Sequence, residues 1–306
     1  MDDELNQIIL RAKNNLQEKF KNNPELALKV AEEAKIVKCT VDEVRKAIFN
    51  RPISPDQATF SFIPTEMTRL SPFFPISKTE KGKPEYKEVT WENSWGRMYM
   101  KGIKLSIYDE DVLLALCRLF RQKQALTMTV SRTDICNAIG KGRGKNTLAA
   151  IDKAIERLTG TLVTIEVWDN VKTKNAKMKM GNTMLTGYTI SENGKITVTL
   201  NPYFKEAYLE TMVTSIDVDF RMSLKHDVSK SLHRFLEAQP RDYQIGMDKL
   251  IVSINVNAEQ ERFHIRNFLK IGLKELKERN YLEFFNIGKD DIITIRKATT
   301  YKNKIT

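Results

Sequence analysis

Residues 126–158, LTMTVSRTDICNAIGKGRGKNTLAAIDKAIERL, decide the fold. LTMTV is a short apolar stretch of strand character, and Ser131 stands where a cap is needed for the helix RTDICNAIG. GKGRGKN breaks that helix with glycine and basic residues, and TLAAIDKAIERLT then has helical spacing. On a 100° wheel Leu148, Ile151, Ile155 and Leu158 share one side of this second helix. Asn146, Ala149, Ala150, Lys153 and Arg157 share the other. The same order returns further on: YQIG as strand, MDKLIVSI as helix, NVNAEQE as turn, and a long helix from about Gln260 to Arg279.

Each copy closes with strands. LVTIEVW and MLTGYTI with KITVTL follow the first, and YLEFF and DIITIRK around the turn NIGKDD follow the second. Strand, short helix, turn, longer helix and hairpin is the order of a winged helix-turn-helix, which lays its second helix in the DNA major groove with the hairpin beside it. The first copy runs from Leu126 to about Leu200 and the second from Tyr243 to about Arg296. The expected fold class is therefore α+β, with two tandem winged-helix domains and an N-terminal helical segment.

Around these copies the organisation reads as follows. Residues 1–50 carry helical periodicity (Leu5, Ile8, Ile9, Leu16, Phe20) and suit a partner-binding or oligomerising helical segment. Six of the nine prolines fall between Pro52 and Pro84, so residues 51–90 are expected to be a mostly irregular linker, with Phe73 and Phe74 docked on the first domain. Arg97 to Ile107 suggests strands with a turn at Lys101-Gly102, and Asp109-Glu110-Asp111 open the helix VLLALCRLFRQ at its positive end. The domains are then 91–215 and 216–306. In the second, Leu224, Val228, Leu232, Phe235 and Leu236 mark the buried side of a helix ended by Pro240.

Composition narrows the partner. The 306 residues hold 50 Lys and Arg against 39 Asp and Glu, a net charge of +11, which favours a polyanion. Because the cations cluster on particular elements, duplex DNA is preferred to an anionic membrane. No stretch of 18 apolar residues occurs and the start MDDELNQIIL is acidic, so a soluble cytoplasmic protein is expected. The three cysteines are isolated, which fits a reducing compartment and gives no metal-site spacing.

Four groups of residues are candidates for DNA contact. The loop Lys141, Arg143 and Lys145 sits at the positive end of its helix, where phosphate binds. On that helix Asn146 is suited to adenine, and Lys153 and Arg157 to phosphate or guanine. The segment DNVKTKNAKMKMGN, with Lys172, Lys174, Lys177 and Lys179, reads as a basic hairpin tip that clamps the backbone. On the second long helix Arg262, Arg266, Asn267 and Lys270 are the expected base readers, and Lys274 and Lys277 lie nearer the phosphates. From Arg262 to Lys304 there are 11 Lys and Arg against 5 Asp and Glu, and a face of one sign is not what helix-stabilising i,i+4 pairs produce.

Enzymatic readings fail on the residues. GKGRGKNT is not a phosphate-binding P-loop, because Ile139 stands where the first glycine belongs and Asn146 where Ser or Thr is needed. His226, His233 and His264 are dispersed on predicted helices and build no local metal site; a polar helix surface accounts for His226 and His233. No catalytic residue, metal or cofactor is expected.

GIKLSIYDEDVLLALCRLF followed by LTMTVSRTDICNAIGKGRGKNTLAAIDKAIERLTGTLVTI resembles the TrfA-type plasmid replication initiators, within the wider set of tandem winged-helix Rep proteins. The resemblance spans roughly residues 60–300, is strongest over 96–168 and leaves out residues 1–50. It implies binding of direct origin repeats (iterons), opening of adjacent AT-rich DNA, recruitment of the host initiator and replicative helicase, a possible homodimer through the first winged helix, and no ATPase of its own. A winged-helix transcriptional regulator and a winged-helix protein-interaction module remain open from the residues alone.

Overall fold

The computed structural model describes residues 60–75, 86–123, 125–170, 174–209 and 213–299; the expected helical segment 1–50 lies outside them. In chain order the first elements are β1 (Phe60–Pro64), α1 (Thr65–Arg69), β2 (Phe73–Phe74), β3 (Tyr86–Asn93), β4 (Gly96–Ile103), β5 (Leu105–Ser106) and α2 (Ile107–Lys123). Then come β6 (Thr127–Ser131), α3 (Arg132–Ala138), α4 (Lys145–Gly160), β7 (Leu162–Asn170), β8 (Asn175–Asn182), β9 (Leu185–Ile190) and β10 (Lys195–Leu200). The chain continues through α5 (Pro202–Leu209), β11 (Val213–Asp217), α6 (Val218–Ser223) and α7 (Asp227–Glu237). It ends with β12 (Asp242–Gly246), α8 (Met247–Ser253), α9 (Arg262–Glu278), β13 (Leu282–Ile287) and β14 (Ile292–Lys297).

The repeat is topological. The sheet order β6-β10-β9 is matched by β12-β14-β13, both antiparallel, each with its first strand feeding a short helix, a turn and a longer helix. Local chemistry explains the first turn. Met128 and Val130 alternate inward on β6, and Ser131 then caps α3: its Oγ accepts from Asp134 N at 3.0 Å while Asp134 Oδ2 accepts from Ser131 N at 2.8 Å. The core of the second copy is continuous. Leu232, Phe235 and Leu236 of α7 pack with Leu250 of α8, Leu269, Leu273 and Leu276 of α9, and Ile293 and Ile295 of β14. Gly272 lets α9 approach α7 closely, since a Cβ there would lie 2.8 Å from Leu232 Cδ1 and 3.3 Å from Ser229 N.

Three expectations change. The proline-rich stretch is not irregular where it is described. FSFIP forms β1, wholly buried and antiparallel to β11, while Pro64 and Pro72 stand at element ends, where a missing N–H costs no ladder bond. Phe73 is buried; Phe74 is only partly so and meets Trp91 edge-on. Second, Lys101-Gly102 is not a turn: β4 runs through it, Gly102 adopts φ +145°, and the chain reverses at Ser94-Trp95 instead. Third, DNVKTKNAKMKMGN is largely strand β8, paired to β7 in a second sheet of order β3-β4-β7-β8. Its alternation of lysine and methionine is a strand period and not loop composition. The β7–β8 hairpin of that sheet is inserted between α4 and the first wing, so the strands beside α3 and α4 are β9 and β10, with the tip Ser191–Gly194.

The described residues all belong to one compact unit within 52–306. Trp95, at the β3–β4 reversal, packs on the second core, its ring 6.2 Å from that of Phe235 and beneath the Arg69 guanidinium.

Candidate nucleic-acid interface

On α9, Ile265, Leu269, Gly272, Leu273 and Leu276 are buried, and the opposite side is open. Asn267, Lys270, Lys274 and Lys277 are exposed there, and Lys274 meets a carboxylate only through Glu278, 3.6 Å away on the same helix. Lys270 and Lys277 have no carboxylate partner among the described residues. The two arginines behave differently. Arg266 Nη1 donates to Asp291 Oδ1 at 2.6 Å, and its Nη2 donates to the carbonyls of Ile287 and Gly288 at 2.7 and 2.8 Å. Arg262 Nε donates to Asp291 Oδ2 at 2.9 Å, and its Nη1 donates to Asp248. Both guanidiniums therefore hold the tip of the β13–β14 wing, where Asp291 itself has φ +60°. Their role as base readers does not follow from this geometry, because planar forks already committed to carboxylate and carbonyls are not free for guanine.

The first helix-turn-helix presents a smaller cationic face. Lys141, Arg143, Lys145, Asn146, Ala149 and Lys153 are exposed, while Ile151, Ala154, Ile155 and Leu158 are buried. The α4 N-cap is Gly144, which supplies no side-chain acceptor, so the helix begins with open N–H groups inside a basic loop. Arg143 reaches back, donating from Nη2 to Asn137 Oδ1 at 3.2 Å. Arg157 is withdrawn from the face. Its Nε and Nη2 donate to Asp109 at 3.1 and 2.5 Å, and Asp109 is fully buried. Position on the wheel placed Arg157 beside Lys153, but a carboxylate 48 residues earlier in the chain claims it.

The basic hairpin is also reassigned. Lys174 donates to Glu92 Oε1 at 2.6 Å and lies over the Trp168 ring, and Lys179 pairs with Glu166 at 2.7 Å. These pairs are largely exposed and of modest energy, but they offset the charge expected at the tip. The side chains of Lys172 and Lys177 lie outside the described residues.

The acidic run at the start of α2 is a buried hub. Asp109 accepts from Ser106 N and Oγ at 2.7 and 2.9 Å as well as from Arg157. Glu110 pairs with Arg221 at 2.9 Å and Arg234 at 2.6 Å, and Asp111 pairs with Arg221 at 2.8 Å and with Lys230. The hub thus ties α2 to α4 on one side and to α6 and α7 on the other. At Arg221 burial works against the charge and is outweighed by Glu110 and Asp111, whereas at Arg234 burial prevails over Glu110 and lowers the pKa. His233 differs from the expected polar surface: it is fully buried, with Nε2 3.1 Å from Glu237 Oε1 and its ring against Phe220 and Tyr281. Among the described residues no group of His, Cys, Asp and Glu is arranged to hold a metal ion, and no helix is long and apolar enough to cross a membrane.

Two copies of this architecture, each with an outward cationic helix, define a tandem winged-helix protein. Residues 97–237, from β4 to the end of α7, match the family model described as Initiator Replication protein, WH1, so the chain carries the WH1 domain of the replication initiators. Among solved structures it is similar to domains 2 and 3 of RctB, in a selenomethionine derivative, at 15% identity over 77% of this chain and 98% of that one, with a TM-score of 0.52. A second crystal structure of RctB domains 2–3 aligns at 13% identity over 78% and 99%, with a TM-score of 0.48. At these identities the likeness concerns the fold. No curated protein matches the sequence.

Proposed function

We propose that this replication initiator is a sequence-specific binder of duplex DNA that recognises direct repeats at the origin of a plasmid-like element. In this reading it promotes opening of adjacent DNA and recruits the host initiator and replicative helicase from the cytoplasm. The DNA-binding units are residues 91–215 and 216–306, and the second supplies most of the readout. The observation that carries the proposal is the outer face of α9, where Asn267, Lys270, Lys274 and Lys277 stand exposed on a helix braced by its own wing. Lys141, Arg143, Lys145, Asn146 and Lys153 on and before α4 would add a second, smaller footprint. A homodimer through the first winged helix belongs to the same proposal.

The test is selection of bound fragments from the replicon that carries the gene, with affinity then followed against salt. Recovery of direct repeats is expected. If both units neutralise on the order of 6–10 phosphates, affinity falls roughly 10³–10⁵-fold between 50 and 200 mM salt. A nearly flat salt response, or recovery of one short inverted repeat instead of a direct array, would overturn the proposal.

A further inference from the structure

Phe263 is the most exposed large hydrophobic side chain among the described residues, at 67%, and it is the second residue of α9. Among the described residues it joins no core: Ile265, two positions on, is buried with the second hydrophobic cluster, and the one ring close to Phe263 is that of His264 at 5.8 Å. Asn267 lies one turn further on the same outer side, and Lys270 two turns further. Arg262 and Arg266, which flank that side, are drawn back to Asp248 and Asp291 and leave the phenyl ring standing clear.

A phenyl ring left in water gains free energy when a partner covers it. Here the neighbouring charge states what the partner is. The ring rises from a cationic, groove-sized helix, and the first turn of such a helix is the part that meets base edges. In the major groove the apolar feature offered by a base is the C5-methyl of thymine. Resting on the proposed reading of duplex DNA by α9, we infer that Phe263 is a specificity-determining residue that packs against a thymine methyl group, next to a base pair contacted by Asn267.

The experiment takes the full chain and a random-sequence duplex library, followed by replacement of each thymine in the selected site by uracil, which removes only that methyl. One position is expected where the replacement weakens wild-type binding roughly three- to tenfold, in line with burial of one or two CH₂-equivalents. In Phe263→Ala the same replacement should have no further effect, with an unchanged melting temperature because the side chain supports no core. If a site is selected but no position responds to uracil, or if Phe263→Ala keeps the full response, the inference fails while DNA recognition stands. Absence of any selected sequence would instead remove the reading on which it rests.

Discussion

Arg266 and Asp291 are joined by a 2.6 Å bond that ties the N-terminal part of α9 to the tip of the second wing. Arg262 holds the other oxygen of the same carboxylate, so one acidic residue fixes two arginines that the helical wheel placed among the base readers. A winged helix needs its hairpin held at a set angle to its groove-reading helix, and this clamp supplies that restraint.

Arg266→Ala should therefore weaken binding to specific and scrambled duplexes by a similar factor, leaving the ratio between them nearly unchanged. The clamp is partly solvated, so the loss of stability should be about 1 kcal/mol, or roughly 2–4 °C in Tm. Asp291→Asn keeps a side chain that tolerates the left-handed backbone and removes the charge. It should reproduce most of the effect and speed amide exchange at the β13–β14 turn. A marked fall in the specific-to-scrambled ratio for Arg266→Ala would return that residue to the reading set.

Lys153 and Arg157 lie one turn apart on α4 and should separate cleanly. Lys153→Ala removes an exposed cation and should lower the slope of log K against log salt by about one, with no change in Tm. Arg157→Ala strands the buried Asp109 carboxylate and should cost about 3–5 kcal/mol of stability. Thermal unfolding beside a salt titration distinguishes the two; equal Tm for both variants would contradict the assignment.

These contrasts mark what the chain's residues reveal on their own. Apolar periodicity placed α3, α4, α8 and α9 correctly because burial of Ile151, Ile155, Leu269 and Leu276 follows the helix period. Periodicity has nothing to say about charge that buries against distant charge. Lys230 and Arg234 read as the wet side of α7, yet both are buried, paired with Asp111 and Glu110 more than 100 residues earlier. Ser229 is buried against Glu275, and His233 against Phe220 and Tyr281. Lysine alternating with methionine over 177–180 carries the period of a strand, whereas the density of lysines points to a loop. Phe263 had a signal as well: on the wheel it falls among the cations, 160° from Ile265.

The hub at α2 should be intolerant of single neutralisation. Glu110→Gln leaves Arg221 and Arg234 facing each other in a dry interior, and a loss of about 3–5 kcal/mol is expected from removing one member of a buried set. Urea unfolding gives the value, with an unchanged m-value confirming that cooperativity is kept. A loss below about 1 kcal/mol would mean that water reaches the cluster.

Glu275 gives the fold a dependence on acid. The N-cap of α7 is His226, whose side chain makes no capping bond, and Glu275 of α9 instead fixes the backbone that enters the helix. Its Oε1 accepts from Lys225 N at 2.6 Å, and its Oε2 accepts from His226 N at 3.1 Å and Ser229 Oγ at 2.5 Å. Burial alone would raise its pKa, but the bonds from Ser229, Lys225 and His226 outweigh it and hold the carboxyl below its ordinary value of 4.5. The folded state thus binds this proton more weakly than the unfolded chain does. The stability it contributes is complete above pH 4.5 and is lost as the pH falls from there through the lower folded-state pKa. Glu275→Gln should cost about 1–3 kcal/mol at neutral pH, where charged hydrogen bonds at a helix start are exchanged for neutral ones. It should also flatten the pH dependence of stability below 4.5 relative to wild type. Chemical unfolding at a series of pH values reads both effects, and a variant whose acid limb runs parallel to wild type would show that the carboxylate of Glu275 is not what secures α7.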